Sequence, residues 1–474
     1  MRAEAATALS LLVTPFQEFL LDQSSCLKQG FYGNYRDGAS MKSVFISDQS
    51  CYRSTVMLLD FGVMAPSPEA GKQLVWIEEK AVDPSLNPSP FNSTLFDFIG
   101  RLGQPSSTSD LQWNQEVVFT TSHEAPPQLL FQSFTAALLA VDHTTARTID
   151  QRLPRFWKST ILPQEPVQYM PVPGAAVDRV GKILTGLTKN EEIAFIVNNI
   201  SSYQMRNDIR FLTGEDSRSG ILSRHSFSDG ARTAAKWLKT RFETTGATCE
   251  LQDFLEGFAP NVVCRYNPVK ESDSLVLISA HYDSRGSFGS TRAPGGNDDG
   301  SGTTALLSIA RTIGRLGVKF HHNVELVAFA GEEQGLLGSR AYSAKLREQN
   351  ADIILMIQAD MLAYHKPGEP PQLGLPESIG TPEVSDLVGN ISTIYTPELK
   401  IGTTRACCSD HQSFHQQGFP ATQVFERADW IADPMYHNSG DLSDREGYDF
   451  DQLKAIAQVQ FATLLHAAGY ELSR

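Results

Sequence analysis

Between residues 228 and 468 the apolar positions alternate between two spacings. Ala234, Trp237, Leu238 and Phe242 recur at helical spacing, which predicts a helix over 231–245 with Ser228 or Asp229 as its N-cap. Residues 275–278 are a continuous apolar run, the pattern of a strand buried on both faces, and 324–330 and 353–357 predict two more buried strands. Helices are predicted over 301–316, with Ala305, Leu306, Ile309, Ile313 and Leu316 on one face, and over 336–349 and 451–468. Val424-Phe425 ends a further strand. Such alternation implies an α/β domain with a mostly parallel central sheet flanked by helices.

The earlier part of the chain reads differently. Leu74-Val75-Trp76-Ile77 and Glu116-Val117-Val118-Phe119 are short apolar runs between turn signals and predict short strands. Residues 90–110 read as loop and 132–148 as a helix. Pro163, Pro166, Pro171 and Pro173 then cluster as in a linker. The pattern divides the chain into an N-terminal extension rich in short strands, 1–180, and an α/β domain, 181–474.

Composition narrows the function classes. The 474 residues are 41 % apolar and 20 % charged, as in globular proteins. With 40 Lys+Arg against 54 Asp+Glu, the net charge of −14 argues against nucleic acid or an anionic membrane as partner, since both need a basic face. No apolar run approaches the ~20 residues of a spanning helix.

Six cysteines, at 26, 51, 249, 264, 407 and 408, include no Cys-x-x-Cys, which argues against a structural zinc knuckle. Cys249 and Cys264 flank a predicted hairpin with Gly257 in its turn, which suits a cross-strand bridge, and Cys26 and Cys51 would then pair. The adjacent Cys407 and Cys408 are as readily free thiols, and buried thiols throughout are the alternative. Asn92, Asn199 and Asn390 head glycosylation triplets. The short apolar stretch 5–13 follows Glu4 and only one basic residue, Arg2, so it is a poor signal peptide. The expectation is a secreted or vacuolar glycoprotein.

The chemistry-bearing residues stand where the predicted strands end. His281-Tyr-Asp283 follows the first, Gly331-Glu332-Glu333 the second and Asp360 the third. Open α/β sheets bind ligands beyond the carboxyl ends of their strands. Two loops add Asn297-Asp298-Asp299-Gly300 and His437-Asn-Ser-Gly-Asp441. Each piece alone has an ordinary explanation: a solvated Glu-Glu turn, a hydrogen-bonded structural His, or Asp298 or Asp299 capping the next helix. A phosphate loop does not fit, because the Gly-rich stretch is acidic and lacks Gly-x-Gly-x-x-Gly and Gly-Lys-Ser. No Gly-x-Ser-x-Gly elbow supports a serine nucleophile. Together, two imidazoles and several carboxylates at one rim predict a metal site. Three carboxylate ligands and one hydroxide balance two divalent cations, and His nitrogen with carboxylate oxygen suits zinc. Asp283, two residues after His281, is positioned to accept the free ring N–H.

These residues resemble, in order and in strand context, the zinc aminopeptidases of family M28, the bacterial and fungal leucyl-aminopeptidase type. The likeness rests on His281-Tyr-Asp-Ser, the Ala293-Pro-Gly-Gly-Asn-Asp-Asp-Gly-Ser-Gly run, Gly331-Glu-Glu, Asp360, Cys408-Ser-Asp-His and Tyr436-His437, and it covers about residues 185–474. It implies that the 181–474 domain is an M28-like catalytic domain. By the resemblance, His281, Asp298 and Asp360 hold one Zn2+, and Asp298, Glu333 and His437 hold a second, with Asp298 bridging. Glu332 is the general base, and Asp283, as the partner of the His281 ring N–H, is counted with it as catalytic. The implied reaction is hydrolysis of a peptide at its free N-terminus. A one-zinc glutaminyl cyclase, a carboxypeptidase of related fold and a non-catalytic peptidase-fold binding module are the alternatives. The chain departs from the family at Thr404, which replaces a cysteine, and at Ala406, which replaces a tyrosine.

The neighbours of the ligands predict substrate preference. Met361, Phe425, Trp430 and Tyr436 are large and uncharged, which favours Leu, Met or Phe at the first position. For Phe425 and Trp430 the alternative is a place in the core.

Overall fold

The computed structural model describes residues 9–56, 62–86, 93–102, 126–287, 290–406 and 408–472. Two compact units emerge: residues 1–80 with 89–170, and residues 81–88 with 171–474. The second boundary falls at Pro171 where the sequence suggested 181. The helix Gly174–Thr185 begins directly after Pro173 and belongs to the second unit. Its Arg179 Nη1 lies 2.8 Å from Asp352, and its Val180 is fully buried there.

The first unit is built on two antiparallel four-stranded sheets. One orders Phe31–Asp37, Ser40–Asp48, Leu9–Pro15 and Val63–Pro66; the other orders Gln128–Gln132, Ala136–Val141, Gln73–Glu79 and Trp157–Ile161. Trp76 fastens their shared core: its ring stacks 5.4 Å from both Tyr35 and Phe131, and its indole N–H donates to Arg36 O at 2.8 Å. Cys26 and Cys51 are bonded, as expected. The strand over 74–77 is present, whereas the 132–148 helix is corrected to the end of one strand, the strand Ala136–Val141 and the short helix His143–Thr148. The run Ala136-Ala-Leu-Leu-Ala-Val carries no period, and burial on every side decides for strand. Part of the predicted 90–110 loop is likewise corrected to a helix, Ser93–Leu102. The run 116–119 and Asn92 lie outside the described residues.

The second unit is α/β. Its six-stranded sheet orders Ala421–Val424, Asp352–Ala359, Ser274–His281, Asn323–Phe329, Asn261–Tyr266 and Thr248–Gln252. The first four are parallel; the last two form an antiparallel edge. The Ser274–His281 strand is buried on both faces. Val276, Ile278 and Ala280 join the larger core with the helices Gly300–Leu316 and Phe450–Ala468, while Leu275 and Leu277 meet Tyr342, Leu346 and Phe414 on the other side. On the antiparallel edge Cys249 faces Cys264 in register and the two are bonded, with Gly257 at φ +89° in the connecting turn. Cys408 is also disulfide-bonded, so the free-thiol alternative fails there; position 407 lies outside the described residues. Among the described residues no helix is long and apolar enough to cross a membrane.

Candidate metal centre

Three parallel strands end at one rim and each delivers a ligand-type residue. His281 is the last residue of the central strand. Glu332 and Glu333 follow Asn323–Phe329 across a sharp turn at Gly331, whose φ of +72° any side chain would resist. Asp360 follows Asp352–Ala359. The loop before Gly300–Leu316 adds Asp298, and a loop after Ala421–Val424 adds His437.

Their side chains converge into two clusters that share Asp298: His281, Asp298 and Asp360, and Asp298, Glu333 and His437, with candidate ligand atoms within 4.8 Å of one another in each. Asp298 Oδ1 lies 3.3 Å from His281 Nε2, and its Oδ2 lies 3.4 Å from His437 Nε2. His281 Nε2 is 3.7 Å from Asp360, and His437 Nε2 is 3.1 Å from Glu333. His281 Nε2 is buried and makes no hydrogen bond, so its lone pair is available to an ion. Gathering these carboxylates out of water raises their proton affinity. Burial and then Glu333 push the Asp298 carboxyl up to about 6. A donor set of two imidazoles and three carboxylates, short of positive charge, fits two zinc ions.

The surrounding residues hold this set. Asp283, fully buried, sits behind His281, its Oδ1 3.5 Å from Nδ1; it accepts the Ser226 hydroxyl at 2.9 Å and the Glu332 and Glu333 amides at 3.3 Å. Asp299, the neighbour of Asp298, caps the helix through Gly302 N at 2.8 Å and accepts the amides of His281 and Met361, each at 3.1 Å. Asp441 accepts the Asn297 amide at 2.9 Å and the Asp298 amide at 3.0 Å. Arg445 joins it to Asp433, and Asn297 Nδ2 donates to Asp433 at 2.7 Å.

Glu332 is buried beside Glu333. Burial and the Glu332 charge raise Asp410 well above the usual carboxyl range. Tyr436 stacks on His437, ring centroids 3.8 Å apart, and burial together with the surrounding carboxylates keeps its phenol protonated. Met361 is buried next to Asp360 with φ +52°. Phe425 is fully buried, its backbone paired with Gly374. Trp430 is partly exposed, its ring under the Arg405 guanidinium at 5.1 Å, and nothing here draws it toward the two clusters.

Three residues escaped the sequence reading. Arg224, fully buried, donates to the carbonyls of Tyr282, Leu212, Pro294 and Gly295 and so ties the His281 and Asp298 loops together. Arg285 Nη1 lies 3.1 Å from His437 Nδ1. Ser226 anchors Asp283. Only Arg285 had a local signal, its place just after His281-Tyr-Asp-Ser.

Residues 261–464, which hold every member of both clusters, match the model of Peptidase family M28. Leucine aminopeptidase 1 of Sclerotinia sclerotiorum is 27 % identical over 305 residues, 60 % of this chain and 75 % of that protein. A probable leucine aminopeptidase of Arthroderma otae is 34 % identical over 198 residues, 40 % of this chain and 52 % of that protein. The fold of the Legionella pneumophila LapA aminopeptidase superposes with a TM-score of 0.60 at 17 % identity, covering 86 % of this chain and 100 % of that one. That coverage exceeds the second unit's share of the chain, so the common fold extends into the first unit. The stretch that carries the rim residues is therefore the one that matches the family M28 model.

Proposed function

We propose that the chain is a two-zinc aminopeptidase that releases hydrophobic residues from the free N-termini of peptides. One observation carries the reading: Asp298 turns one oxygen to each of two imidazoles, each imidazole with its own further carboxylate. His281, Asp298 and Asp360 would hold one ion, and Asp298, Glu333 and His437 the other. When bound, the ions supply Lewis-acid polarisation of the scissile carbonyl and activation of water.

The chain's own residues do the rest. Glu332 takes a proton from the attacking water as the new C–O bond forms and returns it to the amine nitrogen as the C–N bond breaks. Asp283 orients His281 and, through the Glu332 and Glu333 amides, the turn that carries the base. The acidic rim attracts the substrate's α-ammonium, which favours free N-termini over internal bonds. Met361 and Tyr436 are the apolar surfaces nearest the ligands in sequence and form the proposed first-residue pocket. Two disulfides support an oxidising, extracellular or vacuolar setting, and Asn390 is exposed for glycosylation.

Zinc stoichiometry measured alongside hydrolysis of aminoacyl chromogenic substrates tests the proposal. Two zinc ions per chain with chelator-sensitive release of leucine is the expected result. One ion with cyclisation of N-terminal glutamine would replace it with the cyclotransferase reading.

A further inference from the structure

Residues 81–86 lie between two stretches of the first unit in sequence, yet they belong to the second unit. Val82 bridges Ile431 in parallel: Asp83 N donates to Ile431 O at 2.7 Å, and Ile431 N donates to Ala81 O at 2.9 Å. The Asp83 carboxylate anchors this pairing. Its Oδ2 lies 2.8 Å from Lys366 Nζ and 3.5 Å from Arg427 Nη2, and its Oδ1 accepts the Ser85 amide and hydroxyl. Arg427 is gripped by both oxygens of Glu369, at 2.7 and 2.8 Å, and donates to Trp430 O at 2.7 Å. The paired loop therefore has its start fixed at Arg427 and its middle fixed at Ile431.

That loop runs on to the metal centre. Two residues after Ile431, Asp433 accepts the Asn297 side-chain Nδ2–H at 2.7 Å, next in sequence to Asp298. Six residues after Ile431 stands His437. Ile431 itself is 2 % exposed, so the bridge is shielded from water and its hydrogen bonds have no competing partner.

We propose that segment 81–86 is a positioning strap for the His437 loop, with Asp83 as its anchor. The proposal rests on the reading of His437 as a ligand of the second ion. It makes part of the N-terminal region a fixed component of the catalytic unit, so that truncation near residue 180 removes a support of the metal centre as well as a flanking unit. Asp83 is a positioning residue; it touches neither substrate nor ligand atom.

The test uses full-length Asp83→Ala and Asp83→Asn, the second keeping the side-chain volume. Hydrogen exchange is followed in zinc-free protein by mass spectrometry, and zinc affinities are measured separately by titration against a competing chelator. Peptides spanning 428–437 should exchange about tenfold faster in Asp83→Ala, with 274–281 unchanged, because a buried charged anchor is lost. One of the two zinc affinities should fall by about the same factor and the other hold. Unchanged exchange at 428–437, or equal acceleration at 274–281, overturns the strap. Faster exchange at 428–437 in a protein whose wild type binds a single zinc leaves the strap standing and overturns the two-ion reading instead.

Discussion

Asp283 stands behind His281 with its Oδ1 3.5 Å from the imidazole Nδ1, both side chains entirely out of solvent. The Asp283 carbonyl oxygen is 3.2 Å from the same nitrogen. Both neighbours accept, so Nδ1 carries the proton and Nε2 is left with its lone pair for an ion that Asp298 and Asp360 would share. Asp283→Ala should therefore weaken zinc binding by about 10–100-fold, the usual cost of losing a carboxylate behind a ligand histidine. Competition with a chelator of known affinity measures it. Undiminished affinity would mean that the backbone carbonyl alone fixes the tautomer.

Glu332→Gln should separate the base from the ligands. The amide keeps the shape of the turn and cannot take a proton from water, so turnover should fall by about 10²–10⁴ with zinc content unchanged. Stoichiometry and kcat measured on the same preparation decide it; a metal-replete variant with normal turnover moves the base elsewhere.

A panel of aminoacyl chromogenic substrates should rank Leu, Met and Phe above Asp, Glu, Lys and Gly. Burying a leucine-sized side chain against Met361 and Tyr436 stabilises binding by ~1.5–3 kcal/mol, whereas a charged one loses hydration without a partner. Faster release of Lys or Glu than of Leu would reassign the pocket.

Asp83 gives the fold a defined acid sensitivity. Burial alone would raise its carboxyl, but hydrogen bonds from Lys366 and Ser85 hold it down to about 2. Its ordinary value in an unfolded chain is about 3.9. A carboxyl lowered on folding stabilises fully above its unfolded value and loses that contribution as pH falls through its folded value. The stability gap between wild type and Asp83→Asn, read from urea melts, should be level from pH 7 to about 5 and close near pH 2. A gap of equal size at pH 2 and pH 7 would show that the charge is not its source.

Much of the candidate centre was legible because its ligand-type residues follow strands with an unmistakable pattern. The strands ending at His281, before Gly331 and before Asp360 each carry an unbroken apolar stretch, Leu275–Ile278, Leu326–Phe329 and Ile353–Ile357, since the parallel strands are covered on both faces. What stayed hidden depends on distant pairing. Ala136–Val141 looks helical until Gln73–Glu79 lies beside it. The Ser93–Leu102 helix sits among serines and prolines that read as loop. Nothing near Asp83 in sequence announces Lys366 or Ile431, and a lone arginine such as Arg224 carries no mark of the four carbonyls it gathers.

The Val82–Ile431 bridge also orders events in time. During synthesis residues 81–86 leave the ribosome long before Ile431 exists, while the flanking strands Gln73–Glu79 and Ala136–Val141 can already pair with each other. The nascent chain must therefore hold this short stretch without its partner until Ile431 emerges, and only then can the loop that leads on to His437 be strapped in place.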